Sequence, residues 1–143
     1  MGIKLRSEPL FPITSGSQDE YIETGTISQL LSGWSLTSRE FSYNDIFQNS
    51  NGMIGLAVSC SGDSNDKLGI KLSFSYGGSL GYIKEVTLMP RTSNGLACNS
   101  SGFYRIDINK DFRNAIPFDK MKIVLGKYGD NADCTVKARL IIL

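Results

Sequence analysis

The side chains in this chain that could carry chemistry are few, and one type is missing altogether. Among 143 residues there is no histidine. That removes Ser-His-Asp and Cys-His nucleophile systems, imidazole-bearing zinc sites and the commonest general base near neutral pH. Cys60, Cys98 and Cys134 are widely spaced, with no CxxC pair and no zinc-ligand spacing among them. Asp107, Asn109 and Asp111 have the D-x-N-x-D spacing that opens a calcium loop. The sixth and twelfth positions of that loop hold Phe112 and Phe118, where glycine and a carboxylate are needed, so the stretch reads as an exposed acid and a turn. Asp63, Asn65 and Asp66, and likewise Asp130 and Asp133, read as turn residues whose side chains bond nearby backbone. Glu40, Asp45, Glu85 and Asp107 have no context that marks a glycosidase pair. The expectation is a non-enzymatic chain with no catalytic residue, no metal ligand set and no cofactor.

The remaining chemistry is aromatic. Tyr82 and Tyr128 sit at or beside hairpin turns and are the candidate glycan-binding residues, because exposed rings can stack on sugars. Trp34 is assigned to the core, as a lone tryptophan in a β domain usually packs inside.

These residues must be positioned by strands. In "KLGIKLSFSY", Leu68, Ile70, Leu72, Phe74 and Tyr76 share one parity, with Gly69, Lys71, Ser73 and Ser75 on the other. This period of two predicts a half-buried strand with Ile70, Leu72 and Phe74 inside and Lys71, Ser73 and Ser75 in water. "GGSLG" (77–81) is the connection to a second strand rather than a phosphate cradle, since no helix follows it. "MIGLAVSC" alternates with Ile54, Leu56, Val58 and Cys60 on one face. "FYRIDIN" sets Tyr104, Ile106 and Ile108 against Phe103, Arg105 and Asp107. The last strand points Cys134, Val136, Ala138, Leu140 and Ile142 inward, so Cys60 and Cys134 are expected as buried thiols. Cys98, in the polar loop 92–102, is expected as a free, reactive one. "KDFRNAIPFD" has room for one helical turn before Pro117.

About eight short strands separated by turn signals, with no long helical stripe, predict an all-β fold. Each sheet has one apolar face that another sheet must cover. The fold expected is a single antiparallel β-sandwich, jelly-roll-like or immunoglobulin-like, over 21–143. Residues 1–20 carry Pro9 and Pro12 and lack periodicity, so they are expected as an extended N-terminal arm. Its Leu10, Phe11 and Ile13 are the candidate partner-binding anchors.

Lys plus Arg number 15 against 14 Asp plus Glu, a net charge of +1, which argues against nucleic-acid binding and a polybasic membrane anchor. No apolar run approaches the roughly 20 residues that span a bilayer. The signal-free start, the arm "SEPLFPIT" and the Ser/Thr/Asn/Gly-rich alternating strands resemble small virion accessory proteins of tailed phages, namely capsid decoration or cement proteins and tail-associated modules. The resemblance is one of style across the whole chain, with no residue motif to carry over. It implies a structural protein of the virion, made in the host cytoplasm, that binds a repeated protein lattice and neighbouring copies of itself. The alternative expectation is a carbohydrate- or receptor-binding module, as an extracellular or cell-surface fragment.

Overall fold

A computed structural model describes residues 6–12, 20–31, 33–47 and 54–142. In chain order its strands begin with β1 (Arg6–Pro9), β2 (Phe11–Pro12), β3 (Tyr21–Ile22), β4 (Thr24–Ile27) and β5 (Gly33–Ser42). A short helix α1 (Tyr43–Phe47) precedes β6 (Ile54–Ser61), β7 (Lys67–Ser75), β8 (Tyr82–Met89), β9 (Leu96–Ala97) and β10 (Ser101–Ile106). After α2 (Ile108–Asp111) come β11 (Lys120–Tyr128) and β12 (Cys134–Ile142). The described residues are mostly strand with little helix, so the fold is all-β.

The first sheet has the order β1-β12-β6-β10, with β4 beside β12, and the second β5-β11-β7-β8, with β9 beside β7. All pairings are antiparallel. Strands β1 and β4 pair with β12, β5 with β11, β6 with β10 and β7 with β8. The chain is thus one long hairpin of paired strands, rolled up so that β4, β5, β6 and β7, and on the return β8, β10, β11 and β12, alternate between the two sheets. Its midpoint is the β7–β8 turn, where Gly77, Gly78 and Gly81 have φ of 89°, 63° and 71°. Only glycine adopts that region without strain, which explains "GGSLG". Two sheets in this order form a jelly roll, so the immunoglobulin-like alternative falls.

The core lies between the inward parities. Leu56, Val58, Val136 and Leu140 of the first sheet face Ile70, Leu72, Phe74, Ile123 and Leu125 of the second, all buried. Each such side chain contributes about 1.5–3 kcal/mol of burial, set against its ordering entropy. At one end, Tyr43, Phe47, Phe74, Phe112 and Phe118 form a cluster of edge-on, tilted and stacked rings with neighbouring centroids 4.7–6.1 Å apart. Helix α2 starts at Ile108, which was expected to continue the face of β10, and shares only Lys110 and Asp111 with the stretch expected to hold a turn before Pro117; within that stretch Ile116 N–H donates to Phe112 O at 3.0 Å.

The outer face of β7 departs from expectation. Ser73 and Ser75 are buried and Lys71 nearly so. In register, Ser73 lies between Lys122 and Glu85, and Ser75 between Lys120 and Tyr82. Lys71 reaches Glu85 at 2.6 Å and lies 4.6 Å from the Trp34 ring centroid, while Lys122 caps Tyr82 at 4.1 Å. Long neighbours fold over the serines, so a polar parity is covered by side chains rather than by water.

The N-terminal segment also departs from expectation. Strand β1 pairs with the free edge of β12 from Arg6↔Ile142 to Pro9↔Arg139, and Leu10 and Phe11 are buried in the chain's own core. A β-bulge organises this docking. The β5–β11 register slips between Lys122 and Val124, and the stranded Ile123 N–H donates instead to Ser38 Oγ at 2.7 Å. Beyond the slip, Arg39 N–H donates to Leu10 O at 2.7 Å, and its guanidinium lies 3.9 Å over the Tyr21 ring and 3.6 Å from Glu8. The role of Leu10 and Phe11 as anchors for another chain is therefore corrected: the edge of β12 and the bulge give them a site in their own fold. Ile13 lies outside the described residues.

Candidate functional site

The outer face of the first sheet holds a trough that follows from the sequence of its central strand. On β6 the inward parity is Ile54, Leu56, Val58 and Cys60, which leaves Gly55, Ala57, Ser59 and Ser61 outward. All four are small, and their neighbours are long. Ala57 lies between Phe103 of β10 and Arg139 of β12, and Ser59 between Ser101 and Lys137. The result is a depression of about 460 Å³ floored by Ala57, Ser59 and Gly102 and bounded by Lys137, Arg139 and Glu23.

Phe103 does not line this depression; it lines a second one with Thr87, Leu88, Arg105, Lys110 and Asp111 and is 61% exposed. Its ring occupies the space that a side chain at Gly55 would take, so glycine lets the ring lean onto the sheet. Ser101 and Ser59 hydroxyls are 3.0 Å apart. Arg139 is fully engaged, donating to Glu23 Oε2 at 3.1 Å, Ser7 Oγ at 2.7 Å and Ser7 O at 2.8 Å. Lys137 is exposed and has no ion-pair partner among the described residues.

The aromatic candidates lie on the other sheet and do not converge there as free rings. Trp34 is half-buried on the outer face of the second sheet rather than in the core: a second slip in the β5–β11 register, between Leu125 and Lys127, lies beside it, and Lys71 covers its ring. Tyr82 is half-buried, with its hydroxyl bonded to Glu40 and its ring under Lys122. Burial first, and then that bond and the Glu40 charge, push its pKa well above the usual tyrosine value. Tyr128 is the more open of the two, at 46% exposure.

At the end of the sandwich away from the phenylalanines, four loops meet on a buried charge. Lys127 continues the inward parity of Met121, Ile123 and Leu125 and is buried, as is Asp66. The ammonium lies 3.6 Å from Asp66 Oδ2 and donates to Gly129 O at 2.9 Å and Gln29 O at 3.3 Å. Burial acts to raise the Asp66 pKa, but hydrogen bonds from Asn131 and Ala132 and the Lys127 charge outweigh it and hold it low. Sequence reasoning treated Asp66 as a turn residue and passed over Lys127, although the parity of β11 points it inward. Asp63 does act as a turn residue, accepting from Asn65 N–H at 2.8 Å. Asp133 accepts from Gln29 N–H at 2.6 Å, tying two loops together.

Cys60 and Cys134 are buried as expected, but Cys98 is buried too, which corrects its reading as an exposed thiol. Its backbone N–H donates to Asp66 O at 3.0 Å, which draws the loop under cover. The Cys134 thiol donates to Cys98 O at 4.0 Å. Among the described residues no group of three or more Cys, Asp and Glu side chains is placed to hold a metal ion.

The trough differs from the expected sites in both place and composition. Its signal was present in the sequence as the Gly-Ala-Ser-Ser parity of β6, which acquires a meaning only when β6 is paired with β10 and β12. Comparisons of the chain with protein-family models, with curated proteins and with solved structures return no match, so the site is read from its own geometry.

Proposed function

We propose that the chain is a non-enzymatic structural and interaction protein of the virion accessory kind, a capsid decoration or cement-type β module. It binds a repeated protein lattice and neighbouring copies of itself. The observation that supports this reading is the placement of exposed leucines at opposite ends of the sandwich. Leu30 is 89% exposed, in a turn beside the Lys127 end, and Leu80 is 64% exposed in the β7–β8 loop at the other. Apolar contacts at two opposed ends suit a module that bridges neighbours, since a contact between unlike surfaces propagates instead of closing on itself. The arm no longer serves as the connector in this reading, because Leu10 and Phe11 are committed to the core.

The test is co-sedimentation of the purified chain with tailed-phage capsids, together with sedimentation velocity of the chain alone over a range of concentrations. Leu30→Ser and Leu80→Ser should abolish association and leave thermal melting nearly unchanged. A chain that stays monomeric and sediments with no capsid defeats the proposal. A second reading, a carbohydrate- or receptor-binding module, is favoured by the exposed Phe103 ring on the outer face of the first sheet.

A further inference from the structure

We propose that the free edge of β10 pairs, antiparallel and about a two-fold axis, with β10 of a second copy of this chain, joining the first sheets of both copies into one. The inference rests on the reading that the chain binds copies of itself, and it names the surface and the symmetry of one such contact.

The edge is open. β10 pairs with β6 on one side, and among the described residues no strand pairs with its other side. The consecutive residues Phe103, Tyr104 and Arg105 all line a depression of about 290 Å³ that also touches Thr87 and Leu88 of β8. Successive side chains of a strand point to opposite faces of its sheet. A depression that touches three in a row therefore runs along the edge of β10 rather than over one face.

The other sheet edges are blunted in ways that this one is not. An exposed edge is a template for strand pairing, and folds protect it with short strands, proline, bulges or cover. β1 and β4 have four residues each, and β1 ends on Pro9. β5 slips register twice against β11, and its Arg39 N–H is bonded to Leu10 O. β8 slips twice against β7. β10 instead runs in unbroken register from Ser101↔Ser59 to Ile106↔Ile54, with no proline and Arg105 as its one charge.

The sequence of the strand is complementary to itself, as a two-fold contact requires. In an antiparallel pair centred on Phe103, that residue lies opposite the partner's Phe103 on the outer face. Arg105 lies opposite the partner's Ser101, whose hydroxyl can accept from it, and diagonal to the partner's Phe103, within reach of the ring. On the inner face Tyr104 lies opposite the partner's Gly102, an aromatic beside a glycine. No like charges meet. Both rings also leave the edge clear for an approaching backbone: Phe103 leans onto Gly55 of β6, and Tyr104 lies back over Gly102 of its own strand. A ladder from Ser101 to Arg105 buries less than the roughly 1,200–2,000 Å² of a stable interface, so a weak dimer is expected, with Kd of about 0.1–1 mM.

The experiment is sedimentation equilibrium of the whole chain at concentrations up to about 1 mM, as wild type and as a Leu30→Ser, Leu80→Ser chain that lacks the end contacts. A monomer–dimer equilibrium is expected in both. Phe103→Lys and Phe103→Glu, each alone, should weaken dimerisation at least about tenfold, because like charges then meet at the axis. Their equimolar mixture should dimerise again, since a residue that faces its own copy is restored by mixing opposite charges. A dilution series of the ¹⁵N-labelled wild type gives a readout that needs no variant, with concentration-dependent shifts expected at Gly102, Phe103, Tyr104 and Arg105. Dimerisation indifferent to the charge at position 103, a mixture that stays monomeric, or shifts confined to the loops of Leu30 and Leu80 overturns the β10 contact. A Leu30→Ser, Leu80→Ser chain that is monomeric throughout, while the wild type still sediments with capsids, overturns this contact and keeps the lattice reading. A charge-swap dimer in a chain that sediments with no capsid establishes this contact and defeats the lattice reading.

Discussion

At the residue scale the notable groups are polar side chains that the fold encloses. The three thiols are buried, so none should react with a thiol reagent in the native state, and all three should react after denaturation. Rapid native labelling of Cys98 would contradict its placement. Hydrogen bonding to Cys60, together with burial, pushes the Cys134 pKa up to about 12, and a bond with Cys134 followed by burial raises that of Cys98. Above about pH 9 the unfolded chain has lost thiol protons that the folded chain retains. This contribution is therefore complete below pH 9 and is lost as the pH rises toward 12. Urea midpoints should decline through that window, and the decline should be shallower in Cys134→Ala. The Asp66–Lys127 pair makes a second case. Asp66→Asn leaves a buried ammonium without its counter-charge and should cost about 3–5 kcal/mol in urea denaturation. Combining it with Lys127→Met should recover much of that loss, and additive losses would mean that the pair is not coupled.

At the scale of single elements, β7 and the β5 bulge carry the sharpest expectations. Leu72 faces the core, and Leu72→Ala should cost about 2–5 kcal/mol. On a wet face Ser73→Leu would be within about 0.5 kcal/mol of neutral. Ser73 is instead enclosed between Lys122 and Glu85, so the larger side chain should cost about 1–3 kcal/mol. A neutral Ser73→Leu in chemical denaturation would show that the long side chains swing clear at no cost. In the bulge, Ser38→Ala leaves the Ile123 N–H without an acceptor inside the protein, worth about 1–3 kcal/mol. Retention of full stability would mean that water or another acceptor replaces the hydroxyl.

Across the whole molecule, the first strand closes the roll. β1 lies on the edge of β12, the last strand, while Leu10 and Phe11 fill the core beside β5. Deleting residues 2–12 should therefore lower the thermal midpoint strongly, or prevent folding, since two large buried side chains and an edge ladder are lost together. A truncated chain that melts at the full-length temperature would show that the segment is an independent arm after all. Circular dichroism melts of the two chains decide between these outcomes.

What the sequence determined by itself is the part of the fold written in alternation. The inward sets Ile54-Leu56-Val58-Cys60 and Val136-Ala138-Leu140-Ile142 are buried because a period of two assigns a face from neighbouring residues alone. Local turn chemistry likewise placed the β7–β8 hairpin at its glycines. Strand order, and with it the jelly roll, was decided by pairings between residues as distant as Arg6 and Ile142, which no local period encodes. The same holds for Leu10 and Phe11. An apolar segment without periodicity states only that it needs cover, and the free edge of β12 and the slipped register of β5 determined that the cover comes from its own chain. Trp34, Ser73 and Cys98 were misread for a related reason: their exposure depends on which long side chains and loops lie above them, and those neighbours come from other strands. The trough is the plainest instance. Its small floor is legible in one strand, yet only the antiparallel register of β6 with β10 and β12 brings Ser59, Ser101 and Lys137 to one surface.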